Sequence, residues 1–261
     1  MTDNGLSLPG RGSGGLALDV LTRRVIVLVG PFGSGKTEVA VNLAFGLRNR
    51  GADVTLVDLD VVKPYFRCRL VKDDLEARGI RLVAPGGDRF YADLPIVVPE
   101  ARAAGQNGAG RKTRVILDVG GDDLGAKALG SISGLLDQEA TDLLFVVNTN
   151  RPFAEDPISL QSMLEDVRSA ARLPVSGLVA NTHLMDETTR ETVLDGVRAA
   201  RTLAAGTSVP LRFCAMLGEL ARTFGGPEER VDHLPILAME RHIVAPFLKK
   251  PCGAARRSAV V

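Results

Sequence analysis

The chain has 261 residues, 45% of them hydrophobic and 24% charged, a composition that suits a globular protein with one large core. Its 32 Lys and Arg balance 31 Asp and Glu, so net charge gives no reason to expect nucleic acid or an anionic membrane as the main partner. Cys68, Cys214 and Cys252 lack the paired spacing of a disulfide framework or a zinc site, and they fit a reduced, cytoplasmic setting.

Residues 1–20 contain several glycines but no positive stretch followed by an apolar run, so they read as a disordered N-terminal segment and not as a signal peptide. Short β-branched runs then predict strands at 25–29, 54–57, 80–84, 115–117, 143–147, 175–180 and 209–214. Between them, helical spacing of apolar residues predicts helices at 37–49, 66–78, 124–136, 160–171 and 187–204, with Gly51 and Gly79 just past two of the ends. The Gly-rich stretch 105–110 reads as a surface loop or helix end. Residues 236–248 read as a last helix packed on the sheet; as an amphipathic membrane helix it would be broken by Pro246, and no stable membrane anchor is expected. The tail 249–261 mixes Pro, Gly and basic residues and reads as disordered, leaving one domain over 21–248. Alternation of strand and helix predicts an α/β fold of three layers, a mostly parallel sheet with helices on both faces.

In such sheets ligands bind beyond the carboxyl ends of the strands. The first strand leads into Gly30-Pro31-Phe32-Gly33-Ser34-Gly35-Lys36-Thr37, which satisfies the phosphate-loop pattern with a strand before it and a helix after it. Glycines let the backbone N–H groups turn inward onto phosphate oxygens, and the positive end of the next helix adds to their attraction. Gly30, Phe32, Gly33, Ser34, Gly35, Lys36, Thr37 and Glu38 are therefore assigned to a nucleoside triphosphate. Lys36 is expected to reach the β- and γ-phosphates and Thr37 to offer its hydroxyl to Mg2+.

Two more strands end in acids. Asp118 is expected to hold magnesium through water, with Gly120 or Gly121 sensing the γ-phosphate. Asp58 is a further candidate for the magnesium, and Asp60 for positioning the attacking water. Asp122 and Asp123 serve either the site or the cap of the next helix. Cys68 reads as a small buried hydrophobe. Asn148 and Arg151 follow another strand and read as turn residues or as site residues.

With these segments in this order, the chain resembles the MinD/ParA/cobyrinic-acid-synthase-like branch of phosphate-loop ATPases over about residues 24–220. It looks most like a group of stand-alone ATP-binding proteins sharing Val57-Asp58-Leu59-Asp60-Val61-Val62-Lys63-Pro64-Tyr65-Phe66-Arg67, Asp118-Val119-Gly120-Gly121-Asp122-Asp123 and Asn181-Thr182-His183-Leu184. The resemblance implies that Asn181 contacts adenine and that 215–218 completes the base pocket. It allows a homodimer, but Pro31 stands where the branch's dimerising members carry a signature lysine. GTPase metallochaperones share the loop's appearance, yet Asn181-Thr182-His183-Leu184 lacks the lysine and carboxylate with which they read guanine, so ATP is expected. The leading expectation is an ATPase switch acting on a protein partner, through a segment 63–69 that either moves with the γ-phosphate or forms a helix start. A small-molecule kinase or ATP-dependent ligase, with Arg67, Arg69 and the loop 85–89 holding a second substrate, is the competing class, and a nucleotide-binding structural subunit the third.

Overall fold

In the computed structural model the described residues are 15–60, 68–84, 113–121, 123–151, 156–226 and 229–243. Residues 1–14, the segment 61–67, the loops 85–89 and 105–110, Asp122 and the tail 249–261 lie outside them. The strands are β1 (Val25–Val29), β2 (Asp53–Leu59), β3 (Arg81–Val83), β4 (Thr113–Val119), β5 (Thr141–Val147), β6 (Gly177–Ala180), β7 (Leu211–Leu217), β8 (Arg230–Val231) and β9 (Leu234–Met239). The helices are α1 (Gly15–Asp19), α2 (Lys36–Asn49), α3 (Lys72–Ala77), α4 (Asp123–Ile132), α5 (Pro157–Ala171), α6 (Arg190–Thr207) and α7 (Gly218–Arg222). A 3-10 turn, Cys68–Val71, leads into α3, so the described part of the helix expected at 66–78 is a turn followed by a short helix.

The strands form one sheet in the order β3-β2-β4-β1-β5-β6-β7-β9-β8, parallel throughout except for the β8–β9 hairpin. Every residue of β1 is buried, as a central strand covered on both faces requires. Side chains alternate across it. Ile26 and Leu28 pack with Val39, Leu43 and Phe45 under α2, whereas Val25, Val27 and Val29 pack with Leu129 of α4 and Leu164 of α5. A third cluster sets Val193, Val197 and Ala200 of α6 against Cys214 and Ile236. Helix ends are fixed locally: Asp156 accepts from the N–H groups of Ile158 and Ser159, both at 2.9 Å, with Pro157 in the first turn of α5.

Two expectations need correction. Residues 15–19 are not a disordered lead-in but the helix α1, whose Ala17 and Leu18, with Leu21 after it, join the core beside Phe45, Leu237 and Met239. Residues 236–239, expected to begin the last helix 236–248, are not helical but belong to the fully buried strand β9. An apolar run covered on both faces has no periodicity that separates strand from helix. The local signal for the strand is the pair Asp232 and His233, with φ of 48° and 65°, which makes a two-residue hairpin turn whose twist matches its strands. Among the described residues no helix is long and apolar enough to cross a membrane.

Parallel strands aim all their carboxyl ends one way, and the chain leaves β1 for β2 and β4 on one side and β5 on the other. This reversal point opens a crevice beyond β1.

Candidate functional site

The loop after β1 ends in Gly35, at φ 86°, which caps α2 without a side-chain hydrogen bond. A side chain at Gly35 would collide with Asn181, whose Nδ2 lies 2.3 Å from where a Cβ would stand. With no capping side chain in the way, the first-turn N–H groups of α2 are turned to the crevice, an anion site by construction. Lys36 lies buried across this loop, its Nζ donating to the carbonyls of Gly30 at 3.0 Å and Pro31 at 2.9 Å. The opposite wall is Gly121: a Cβ there would stand 2.8 Å from Lys36 Nζ and from the Phe32 nitrogen. Only glycine leaves that space open. Phe32 itself is 64% exposed, so the loop uses its backbone and turns the ring outward.

The acids converge from β2 and β4. Register places Asp58 directly beside Asp118, and both are buried, as is Asp60. Asp58 Oδ1 accepts from the Asp60 N–H at 3.1 Å, which fixes the turn leaving β2. Burial pushes the Asp118 carboxyl up to about 7, and the neighbouring Asp58 adds to this against the opposing pull of the Thr37 hydroxyl bond and the Lys36 cation. Asp118 Oδ1 is buried without a hydrogen-bond partner among the described residues. On its other side Cys68 Sγ stands 3.6 Å from Asp118 Oδ2, and burial, then the two aspartates, push that thiol far above its ordinary range. The thiol is an inert wall at neutral pH. Two hard carboxylates and a hydroxyl, one oxygen lacking a partner, form a donor set that suits Mg2+.

On the far side of the loop, Asn181 at the end of β6 donates Nδ2 to the Ser34 carbonyl at 2.7 Å. Its amide carries a second N–H, so this anchor does not exhaust it. A cavity of about 800 Å³ runs from Lys36, Thr37 and Asp60 past Asn181 to Met216, Leu217, Met239 and Ile243. It is polar at one end and apolar at the other, a shape matched to a phosphate chain and a flat base.

Comparison with protein families matches residues 26–199, more than half of the chain, to the CbiA family, described as the CobQ/CobB/MinD/ParA nucleotide binding domain. The chain belongs to that family. No curated protein matches it. Among solved structures, the 54 kDa signal recognition particle protein from Aeropyrum pernix, in complex with GDP, is 22% identical with a TM-score of 0.52 over 74% of this chain and 41% of that one. Chloroplast FtsY from Physcomitrella patens is 18% identical with a TM-score of 0.50 over 76% of this chain and 64% of that one. FtsY from Mycoplasma mycoides is 16% identical with a TM-score of 0.50 over 74% and 59%. This chain therefore spans less than two thirds of each of these proteins, and at such identities the likeness is one of fold. The phosphate-loop nucleotide-binding fold is common to all.

In this CbiA-family domain the end of the cavity away from the phosphate loop has a wall that the sequence analysis did not find. Glu38, assigned to the nucleotide, lines the cavity and turns its carboxylate to the chain after β9, accepting from the N–H groups of His242 at 2.6 Å and Ile243 at 3.1 Å. Burial raises its pKa, and those two N–H groups oppose the rise. One turn along α2, Asn42 exchanges two hydrogen bonds with the backbone of Glu240, at 2.9 and 2.8 Å. The strand that follows the hairpin thus carries a cavity wall, Met239 to Ile243, onto the phosphate-binding helix. Facing it, Asp186 pairs with Arg241 Nη1 at 2.8 Å. No sequence signal marked this wall, because it hangs on a strand that reads as a helix. His183, also lining the cavity, is pushed down to about 4 by burial and then by Arg151 and Arg241, so it is a neutral group at physiological pH.

Proposed function

We propose that this CbiA-family domain is a magnesium-dependent ATPase whose nucleotide state switches its contacts with a protein partner. The observation that supports this reading most is the convergence at one crevice of an uncapped helix N-terminus, buried Lys36 and the Thr37–Asp118–Asp58 group, in which Asp118 Oδ1 has no hydrogen-bond partner among the described residues. Magnesium held by Thr37, Asp118 and Asp58 would neutralise charge on the β- and γ-phosphates. Lys36 binds the same phosphates as a point charge once its nitrogen leaves the Gly30 and Pro31 carbonyls. Asp60 orients the attacking water. Gly120 or Gly121, the latter closing the crevice against the loop, donates backbone N–H to the γ-phosphate and so carries its presence into the chain beyond β4.

Adenine is the base in this reading, held between the apolar end of the cavity and Asn181. A guanine reading has one observation in its favour: Asp186 stands on the wall, where a carboxylate can meet guanine's N–H groups. Its pairing with Arg241 argues for adenine, because that partner would have to be displaced first. The test is a competition titration of purified protein with Mg-ATP and Mg-GTP, followed by turnover with no added metabolite. Tighter ATP binding with slow hydrolysis is expected. Preference for GTP by tenfold or more, or turnover that needs an added acceptor, would replace this reading with a GTPase or with a kinase or ligase.

A further inference from the structure

The phosphate loop between Gly30 and Lys36 contains no second cation, yet the structure brings one to it from another strand. Beyond β5, Asn148 is fully buried and accepts at Oδ1 from the N–H groups of Asn150 at 3.0 Å and His183 at 3.3 Å. Those bonds hold the short turn 148–151 in shape, tied at once to β5 and to the chain after β6. Arg151 is presented by this turn. Its Nε donates to the Gly33 carbonyl at 3.0 Å. Its stem lies so close over Gly33 that an added Cβ there would meet Nε at 3.1 Å and Cδ at 3.2 Å. Gly33 sits at φ 75°, so the loop keeps glycine for conformation and for this contact alike.

One N–H of the guanidinium is spent on Gly33 and four remain. Arg151 lines the cavity that also holds Lys36, Thr37 and Asp60. No ion pair joins Arg151 to a carboxylate among the described residues, and its positive field helps keep the neighbouring His183 neutral. An arginine fixed over a phosphate loop, half-buried and without a carboxylate partner among the described residues, has the fork geometry that matches phosphate oxygens.

We infer that Arg151 is a phosphate-contacting catalytic residue supplied by the chain itself, stabilising the charge that develops between the β- and γ-phosphates. The inference rests on the ATPase reading above. In the step it assists, the oxygen of water bonds to the γ-phosphorus while the bond from that phosphorus to the β–γ bridging oxygen breaks. ADP keeps the electron pair on the former bridging oxygen, and the water's proton passes to the phosphate released. Arg151 stays protonated throughout. It acts only by placing its N–H groups where negative charge grows.

The test uses Arg151→Ala and Arg151→Lys in the full chain, with folding checked by circular dichroism and melting temperature. Affinities for Mg-ADP and for Mg-ADP with aluminium fluoride, which mimics the transferring phosphoryl group, are measured beside single-turnover hydrolysis. Arg151→Ala is expected to keep ADP affinity within a few-fold, to lose the extra affinity for the fluoride complex, and to slow hydrolysis by about a hundredfold or more, as arginines of this kind do. Arg151→Lys should recover only part of both losses, since charge returns without the fork. Unchanged hydrolysis and unchanged fluoride-complex affinity in Arg151→Ala would overturn the inference and leave the ATPase reading standing. An equal fall in ADP and fluoride-complex affinity would overturn it too, reducing Arg151 to a shaper of the loop. Absence of nucleotide binding or of any hydrolysis in the unmodified protein would sink both readings.

Discussion

Asp60 and Asp118 are separated by their surroundings, and the separation fixes what each substitution should do. Asp60 sits at the start of the chain that leaves β2, so Asp60→Asn removes a group expected to act on the attacking water alone. Turnover should fall on the order of a hundredfold while ATP affinity stays within a few-fold. Single-turnover hydrolysis beside a binding titration checks this, and unchanged hydrolysis would take Asp60 out of the mechanism. Asp118→Asn should damage binding as well, through the lost magnesium partner. The same residue predicts a pH effect on stability. Its carboxyl, at an ordinary 3.8 when unfolded, is pushed up to about 7 when folded, so between these values the folded ligand-free protein holds a proton that the unfolded chain has released. That contribution to stability is whole below about pH 4 and is lost as pH rises to about 7. Asp118→Asn removes the loss. Melting temperatures without nucleotide should favour the variant over the unmodified protein more at pH 8 than at pH 4, and a constant difference would show that the buried carboxyl is not raised.

At the scale of elements, the seam between α2 and the chain after β9 joins the two ends of the cavity. Glu38 and Asn42 together hold Glu240, His242 and Ile243 by four hydrogen bonds to backbone. Glu38→Ala leaves two part-buried N–H groups without this acceptor and releases the wall proposed to face the base, for a loss of up to about thirtyfold in ATP affinity at about 1 kcal/mol net per bond. Tripolyphosphate, which has no base, should bind Glu38→Ala and the unmodified protein alike. An equal loss for both ligands would show that Glu38 supports the phosphate loop instead. The phosphate-binding half of this arrangement is legible in the sequence because its chemistry is local: a strand, eight consecutive residues and a helix fix it, and two acids each close an apolar run. The base-binding half is not. It depends on β9 lying against β7, a contact between distant segments, and the run Leu234 to Met239 is apolar at every position, which erases the alternation that marks a half-buried strand. The second role of Glu38 is hidden for the same reason, since its place in the first turn of α2 says nothing of its long-range partners at 242 and 243. Arg151 is read from sequence only as a residue after a strand, because its contact with Gly33 spans 118 positions.

For the whole molecule, the sheet is one body with its ligand crevice at the middle, so effects at either end are felt through one cooperative unit. Helix α1 closes the core beside β9, and Leu18→Ala, which empties a fully enclosed site, should cost about 2–4 kcal/mol in denaturant unfolding. A cost near zero would mean that the folded unit begins at Val20 or later. Nucleotide should act in the opposite direction, because it binds the assembled crevice and not the unfolded chain. At a hundred times its Kd, Mg-ATP stabilises by about 2.7 kcal/mol. For a domain of this size that is a rise of about 5–10 °C in melting temperature. Lys36→Ala provides the control, since it deletes the charge that in the ligand-free protein donates to the Gly30 and Pro31 carbonyls, while the core strand β1 is untouched. Its melting temperature without ligand serves as the variant's own baseline, since the buried nitrogen it loses also lies beside Asp118. Its rise on adding Mg-ATP should vanish. A full rise in Lys36→Ala would place the nucleotide somewhere other than the loop after β1, and no rise in either protein would mean that the crevice is built but does not bind ATP.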